Sequence, residues 1–343
     1  MKVAYIYDPI YLKHDTGHHV ENARRLEAIT SHLEQSGLRQ KLTLIKPRAA
    51  TAEELALVHH KQHILNIQQV AQAGGGWLDA DTVMSADSYQ AALYAAGGAM
   101  RATKAVMTGE VDSAFALVRP PGHHATPHQA MGFCLFNNAA IAAKYALAKY
   151  KLERILIIDF DVHHGNGTQE IFYDSPEVLY ISSHQYPLYP GTGNIDETGE
   201  GKARGTTINI PLPAGCGDNE YLAAFEQIIT PAARRFKPQL ILVSAGYDCH
   251  WADELALMQV SVGGFARMVN IIKGLADELG GGRLVFTLEG GYNLNALAAS
   301  VGATLAVLLG KENIEDPLGK PRQLAAPDIA PLIRTIKKTH NLP

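Results

Sequence analysis

Cysteine is scarce in this 343-residue chain, and the three that occur, Cys134, Cys216 and Cys249, are far apart and form no Cys-x-x-Cys pair. An odd number at such spacing supports neither a disulfide framework nor a thiolate zinc site, so buried or incidental thiols are the expectation. No apolar run reaches the roughly 18 residues that a membrane-spanning helix needs. The start, Met1 to Tyr7, alternates like a strand and lacks the apolar centre of a signal peptide. A cytoplasmic chain with no membrane partner is therefore expected. Lysine and arginine form no cluster and the formal net charge is −4, which argues against a nucleic-acid groove. Repeats, low-complexity linkers and charge runs are also missing, so residues 1–343 read as one domain.

Apolar residues make up 47% of the chain and charged residues 19%, enough for a sizeable core. Strand-like runs appear at Val3–Tyr7, Ala114–Val118, Arg154–Phe160, Val178–Ser182, Leu240–Ser244 and Leu284–Leu288. Helical stretches separate most of them. Glu21–Gln35 ends in Ser36-Gly37, Thr51-Ala52-Glu53-Glu54 has the form of a capping box, Ala86–Met107 is rich in alanine, and Asn137 or Asn138 can cap Ala139–Tyr150. Asp218 opens a further helix that runs to Phe236 and is closed by Pro238. Gly74-Gly75-Gly76 and Gly280-Gly281-Gly282 read as loops. The alternation is that of an α/β fold with a parallel sheet.

Histidine is abundant instead, 15 residues in all, and many of them follow the strand-like runs. Arg119-Pro120-Pro121-Gly122-His123-His124 follows one run, and Ser182-Ser183-His184 closes another. Asp159-Phe160-Asp161-Val162-His163-His164-Gly165-Asn166-Gly167 follows Arg154-Ile155-Leu156-Ile157-Ile158. Ser244-Ala245-Gly246-Tyr247-Asp248 and Glu289-Gly290-Gly291-Tyr292-Asn293 complete the set. Open α/β sheets bind ligands beyond the carboxyl ends of their strands, so these segments deliver their polar groups to one crevice. A lone His or Asp at a strand end more often hydrogen-bonds or caps than ligates. Five such segments together point to a site, with Asp159 and Ser182 the members best suited to a structural role.

Residues two apart in an extended chain face the same way, so Asp161 and His163 can converge on one ion while Asp159 stands behind them. With Asp248 they make an oxygen/nitrogen set with an open position, the pattern of a catalytic Zn²⁺, and iron(II) suits the same ligands. A second metal would need more bridging carboxylates, whereas His164 and Asn166 follow His163. Such an ion lowers the pKa of a bound water to about 7 and polarises a carbonyl, so amide hydrolysis is the natural chemistry. Proton transfer then falls to His123 and His124. An imidazole facing the carboxylate of Asp159 is favoured as imidazolium, whereas one facing the amide of Asn166 stays neutral and can act as base. Tyr292 can donate its phenol to the developing oxyanion, a contribution of about 3 kcal/mol.

These segments, together with Pro190-Gly191-Thr192-Gly193, resemble the motifs of the histone deacetylase superfamily, in order from about Tyr7 to Leu309. They are most similar to class II and bacterial histone deacetylase-like amidohydrolases, with acetylpolyamine amidohydrolases and acetoin-utilisation proteins as relatives. The resemblance implies an arginase/deacetylase fold, a three-layer αβα architecture around a mostly parallel eight-stranded sheet. It implies Zn²⁺ on Asp161, His163 and Asp248, His124 as general base, His123 as its electrostatic partner and Tyr292 as carbonyl-polarising donor. It also implies K⁺ near Asp159, Asp161, His163, Ser182 and Ser183, and a second such ion at the carbonyls of Phe172, Ser175 and Val178.

The same resemblance sets Phe133, after Gly132, and Tyr189 across a narrow apolar tunnel suited to the stem of acetyl-lysine. Asp81 stands near the rim, where it can contact substrate backbone, and Gly291 adjoins the donor Tyr292. Polyamine-preferring relatives carry a glutamate gatekeeper where Ala252-Asp253-Glu254-Leu255 places Leu255. An apolar gate does not neutralise a buried ammonium, so acetyl-lysine in peptides or proteins is the expected substrate. Acetylpolyamines or other small acylated amines are the alternative, because Glu254 stands one residue from the gate. A protein that only binds acetylated ligands, or a purely structural one, is the reading from another class. The short loop from His14 to Arg24 implies an open mouth and a monomer or weak homo-oligomer.

Overall fold

The computed structural model describes residues 1–319, 321 and 325–343. Strands form where apolar residues run together: β1 (Val3–Ile6), β2 (Thr43–Ile45), β3 (Gly75–Trp77), β4 (Val83–Ser85) and β5 (Ser113–Ala116). They continue with β6 (Ile155–Asp159), β7 (Val178–Gln185), β8 (Thr207–Leu212), β9 (Leu240–Ala245) and β10 (Leu284–Leu288). Eight of them make one sheet in the order β2-β1-β5-β10-β9-β6-β7-β8, and every pairing in it is parallel. Every residue of β1, β5, β6, β7, β9 and β10 is buried, so both faces of the sheet are covered.

The helices Ser88–Met107 and Asn138–Tyr150 pack against each other and against the central strands. A second group, Arg24–Gln35, Val262–Leu279 and Leu294–Leu308, forms another packed layer. Leu294–Leu308 is buried over most of its surface, in keeping with its composition of leucine, alanine and valine. No helix among the described residues is long and apolar enough to cross a membrane.

Several elements differ from the sequence expectation for identifiable reasons. Gly75 is not in a loop but opens β3, which pairs antiparallel with β4; a Cβ there would overlap the main chain of Met84 and Ser85, so the glycine permits the close approach. Two strands of the sheet, β2 and β8, had no apolar run to announce them. The first is only three residues long, and the second carries Asn209 and Pro211 inside its Thr-Ile-Asn-Ile-Pro-Leu sequence. The stretch from Asp218 to Phe236 is continuous but not uniform, because Phe225–Ile229 widens into a π turn between two α-helical segments. The first long helix starts at Arg24 rather than Glu21, since the Glu21 carboxylate is taken by tertiary partners. Asn137, not Asn138, caps the helix Asn138–Tyr150, its side chain accepting from Ala140 N–H.

The central strands β5, β10, β9 and β6 are neighbours in the sheet. Their carboxyl ends therefore open side by side, and the loops that follow them share one crevice.

Candidate active site

Asp161, His163 and Asp248 offer ligand atoms that all lie within 4.8 Å of one another. The first two come from the loop after β6 and the third from the loop after β9. His163 Nδ1 lies 3.1 Å from Asp161 Oδ1 and 3.4 Å from Asp248 Oδ2. Main-chain donors fix both carboxylates: Gly290 N–H donates to Asp161 Oδ2 at 2.8 Å, and Val162 N–H donates to Asp248 Oδ1 at 2.9 Å. Asp248 Oδ2 is buried with no hydrogen-bond partner among the described residues. A Cβ on Gly246 or Gly290 would overlap these carboxylates, so the glycines clear the space. Burial and the neighbouring Asp161 push the Asp248 carboxyl up to about 6. Burial opposes ionisation of Asp161 too, but His123 and His163 hold its carboxyl well below the usual range. An orphaned carboxylate oxygen, a second carboxylate and an imidazole nitrogen fit a divalent cation.

The two adjacent histidines lie beside this set with their rings 4.0 Å apart. His123 Nδ1 faces Asp159 Oδ2 at 3.1 Å, and Tyr180 donates its hydroxyl to the same oxygen at 3.0 Å. His124 Nδ1 donates instead to Asn166 Oδ1 at 2.8 Å, which leaves Nε2 as the free lone pair. Their electrostatics diverge. Burial works against the His123 cation, but Asp161 and Asp159 outweigh it and push the imidazole up to about 10. Burial together with the neighbouring His123 and His163 pushes His124 well below the ordinary imidazole range.

The histone deacetylase domain model matches residues 19–308. The chain belongs to the histone deacetylase family. Among its relatives, histone deacetylase 14, chloroplastic, of Arabidopsis thaliana is 42% identical over 330 residues, covering 91% of this chain and 78% of that protein. A probable deacetylase of Archaeoglobus fulgidus is 40% identical over 354 residues, covering 99% and 98%. The histone deacetylase-like amidohydrolase of Pseudomonas aeruginosa is 40% identical over 314 residues, covering 91% and 83%. The crystal structure of the HDA15 HD domain matches with a TM-score of 0.90 at 37% identity, covering 99% of this chain and 94% of that one. The chain is thus a hydrolase of the deacetylase/amidohydrolase kind, and the family implies a divalent metal.

In this deacetylase two aromatic candidates pack against residues of the site. Tyr189 packs edge-on against His124, ring centres 5.2 Å apart, and stands 6.3 Å from His163. Phe133 packs edge-on against Tyr292 at 5.9 Å and against His19 at 4.4 Å. Its φ of +69° is uncommon for a residue with a Cβ, and its N–H is held by Thr82 Oγ1 at 3.1 Å. Gly132 abuts the His124 ring, where a Cβ would overlap it. Thr82 also donates its hydroxyl to Asp81 at 3.1 Å, so one hydroxyl links Asp81 to the Phe133 backbone. Leu255 is half-buried. Behind the site, Asp159 pairs in register with Ser182, whose hydroxyl meets His184 Nδ1 at 2.9 Å, whereas the Ser183 hydroxyl is buried without a partner among the described residues.

Several buried charges had escaped the sequence reading. Glu289 accepts from Gly122 N–H at 2.7 Å, His123 N–H at 3.2 Å and the Ser244 hydroxyl at 3.0 Å, so it fixes the backbone of the histidine pair. Burial chiefly pushes its carboxyl up to about 7. Arg25 and Arg119 are fully buried and share the carboxylate of Glu21. Arg25 donates to the carbonyls of Gly291, at 2.7 Å, and Glu289, and its guanidinium lies 5.0 Å from the Tyr292 ring centre. A charged residue directly after an apolar strand was the available signal for Glu289. The pairing of Glu21 with Arg25 at helical spacing was the signal for the other cluster.

Proposed function

We propose that the protein is a zinc-dependent deacetylase that hydrolyses the amide of acetyl-lysine side chains in peptides or proteins. The observation that carries this reading is the free Nε2 of a neutral His124 beside the Asp161, His163 and Asp248 set. When bound by those three residues, zinc supplies Lewis acidity to a water and to the amide carbonyl. His124 Nε2 takes the proton of the attacking water and returns it to the leaving amine. Asn166 holds the other nitrogen of that ring, which fixes the tautomer. His123, kept charged by Asp159, lowers the basicity of its neighbour electrostatically. The Tyr292 phenol donates to the carbonyl oxygen as negative charge develops, and the nearby Arg25 guanidinium favours that charge. A potassium ion beside Asp159, Ser182 and Ser183 is consistent with the unpartnered Ser183 hydroxyl.

Phe133 and Tyr189 suit the alkyl stem of the substrate, and Asp81 accepts from substrate N–H groups. Leu255 decides between substrate classes. A half-buried leucine offers no charge to a secondary ammonium, which supports acetyl-lysine over acetylpolyamines. The test compares kcat/KM for acetyl-lysine peptides, acetylputrescine and acetylspermidine in the wild type and in Leu255→Glu. Acetyl-lysine should be preferred by the wild type, and the variant should gain on acetylspermidine by about 10-fold or more, the size of one new partly buried ion pair. A wild type that already prefers acetylpolyamines refutes the gate argument.

A further inference from the structure

We infer that Asp253 is a positioning residue that aligns the Tyr292 phenol and the Leu255 gate through a single carboxylate. The loop after β9 first supplies the ligand Asp248 and then turns back on itself. Ala252 N–H donates to His250 Nδ1 at 3.0 Å, and Asp253 N–H donates to the His250 carbonyl at 2.9 Å. This turn drives the Asp253 side chain inward until it is only 5% exposed. There Oδ2 accepts from Tyr292 N–H at 2.6 Å and from Asn293 N–H at 2.9 Å. Oδ1 accepts from Leu255 N–H at 3.1 Å. A second strap runs alongside, as Asn293 donates its side-chain amide to the Ala252 carbonyl at 2.9 Å.

Among the described residues Asp253 enters no ion pair, and the hydrogen bonds to its carboxylate all come from main-chain N–H groups. Those groups belong to two different loops, one leaving β9 and one leaving β10. A helix cap does not account for the arrangement, because Asn293 already fills that role by accepting from Ala296 N–H. What the carboxylate does join is the backbone of the oxyanion donor to the backbone of the gate. A displacement of about 1 Å at a reacting group can lower turnover by about 100-fold, so this junction controls rate as well as fit.

The inference rests on the proposed reaction, and its test is a double-variant cycle on the zinc-loaded full chain with an acetyl-lysine peptide. Asp253→Asn should lower kcat by about 10- to 100-fold while KM changes far less. In a Tyr292→Phe background the same change should lower kcat by less than about 3-fold, since the donor it aligns is gone. The preference for acetyl-lysine peptide over acetylspermidine should also narrow in Asp253→Asn. Equal losses in both backgrounds, or an unchanged preference, overturn the inference. If Asp253→Asn shows no cooperative melting, Asp253→Glu, which keeps the charge and moves it by one methylene, enters the same cycle with the same criteria. A wild type without deacetylase activity fails the proposed function instead, so the two failures are distinguishable.

Discussion

Replacing Asn166 with aspartate puts a charge where the fold now keeps a neutral amide. His124 Nδ1 and Asn166 Oδ1 are 2.8 Å apart, the histidine buried and the asparagine half-buried, so a carboxylate there would face the imidazole directly. With charge centres about 5 Å apart and an effective dielectric of about 20, the attraction is about 3 kcal/mol, or about two pKa units. The neighbouring ring shows the direction of the effect: His123, with Asp161 nearby and Asp159 facing it at 3.1 Å, is pushed up to about 10 against the effect of burial. An aspartate raises the pKa of the base, so the fraction of neutral His124 falls at every pH below the new value. The acid limb of kcat/KM should therefore move upward by about two units in Asn166→Asp. A divalent cation lowers the His124 pKa in both proteins alike, so the difference between them isolates the charge at residue 166. The assay is a pH profile of kcat/KM on an acetyl-lysine peptide, with zinc content measured for each protein and Asn166→Ala as the uncharged control. Superimposable acid limbs for wild type and Asn166→Asp would refute the assignment of His124 as base.

Tyr292→Phe should lower kcat by about 100- to 1000-fold while the zinc content stays unchanged, as expected when one oxyanion donor is removed; metal analysis and steady-state kinetics check this. Glu21→Gln should destabilise the fold by about 3–5 kcal/mol in urea melts, because Arg25 and Arg119 are left buried without their anion. Burial opposes ionisation of Glu21, but Arg119, His14 and Arg25 together hold its carboxyl well below the usual range. Its stabilisation is then complete above the unfolded carboxyl pKa of about 4.5 and is lost as pH falls through the depressed folded value. The gap between the wild type and Glu21→Gln should thus be constant from neutral pH to about 5 and close only in stronger acid. Chelation should lower the melting temperature, and zinc should raise it more at pH 8 than at pH 5. Two ligands must lose a proton to bind, the Asp248 carboxyl, pushed up to about 6, and the His163 imidazole, pushed up to about 10, so higher pH favours the metal; an equal shift at both pH values would argue against metal binding there.

The groups that were legible in the sequence share one property. Asp159 ends a buried strand, and Asp161, His163, Asp248 and Tyr292 each follow one within a few residues, so local pattern and the geometry of a parallel sheet suffice to put them at one end of the sheet. The central sheet was legible for the same reason, wherever a strand is an unbroken apolar run. The misses are of two kinds. β8 and the hairpin of β3 and β4 contain Asn209, Pro211 and Gly75 at positions where tertiary contact, not propensity, decides the conformation. Asn209, for instance, donates to Gln169 at 2.8 Å inside the fold. Glu21 and Arg119 are 98 positions apart, and Asp253 and Tyr292 are 39 apart, so no local pattern pairs them. An arginine near a helix start reads as solvated, yet Arg25 is turned inward because the carbonyls of Glu289 and Gly291 await donors there.

These late-found charges bear on why the site needs a cation. Asp159, Asp161, Asp248 and Glu289 are all fully buried around the ends of the central strands. Arg25 and Arg119 share the one carboxylate of Glu21, so that cluster leaves a single positive charge over against these four. What faces the four carboxylates is the pair of imidazoles, His123 and His163, each pushed up to about 10 by those neighbours against the effect of burial. Even so, the Asp248 and Glu289 carboxyls are pushed up to about 6 and about 7, which marks an excess of negative charge that the side chains do not neutralise. The excess is sharpest at Asp248 Oδ2, the ligand-set oxygen that has no hydrogen bond among the described residues. A site that served only to tie loops together would lower its energy by replacing one of these carboxylates with an amide. Keeping all four buried is accounted for when a divalent cation supplies the missing charge at the point where the carboxylates converge.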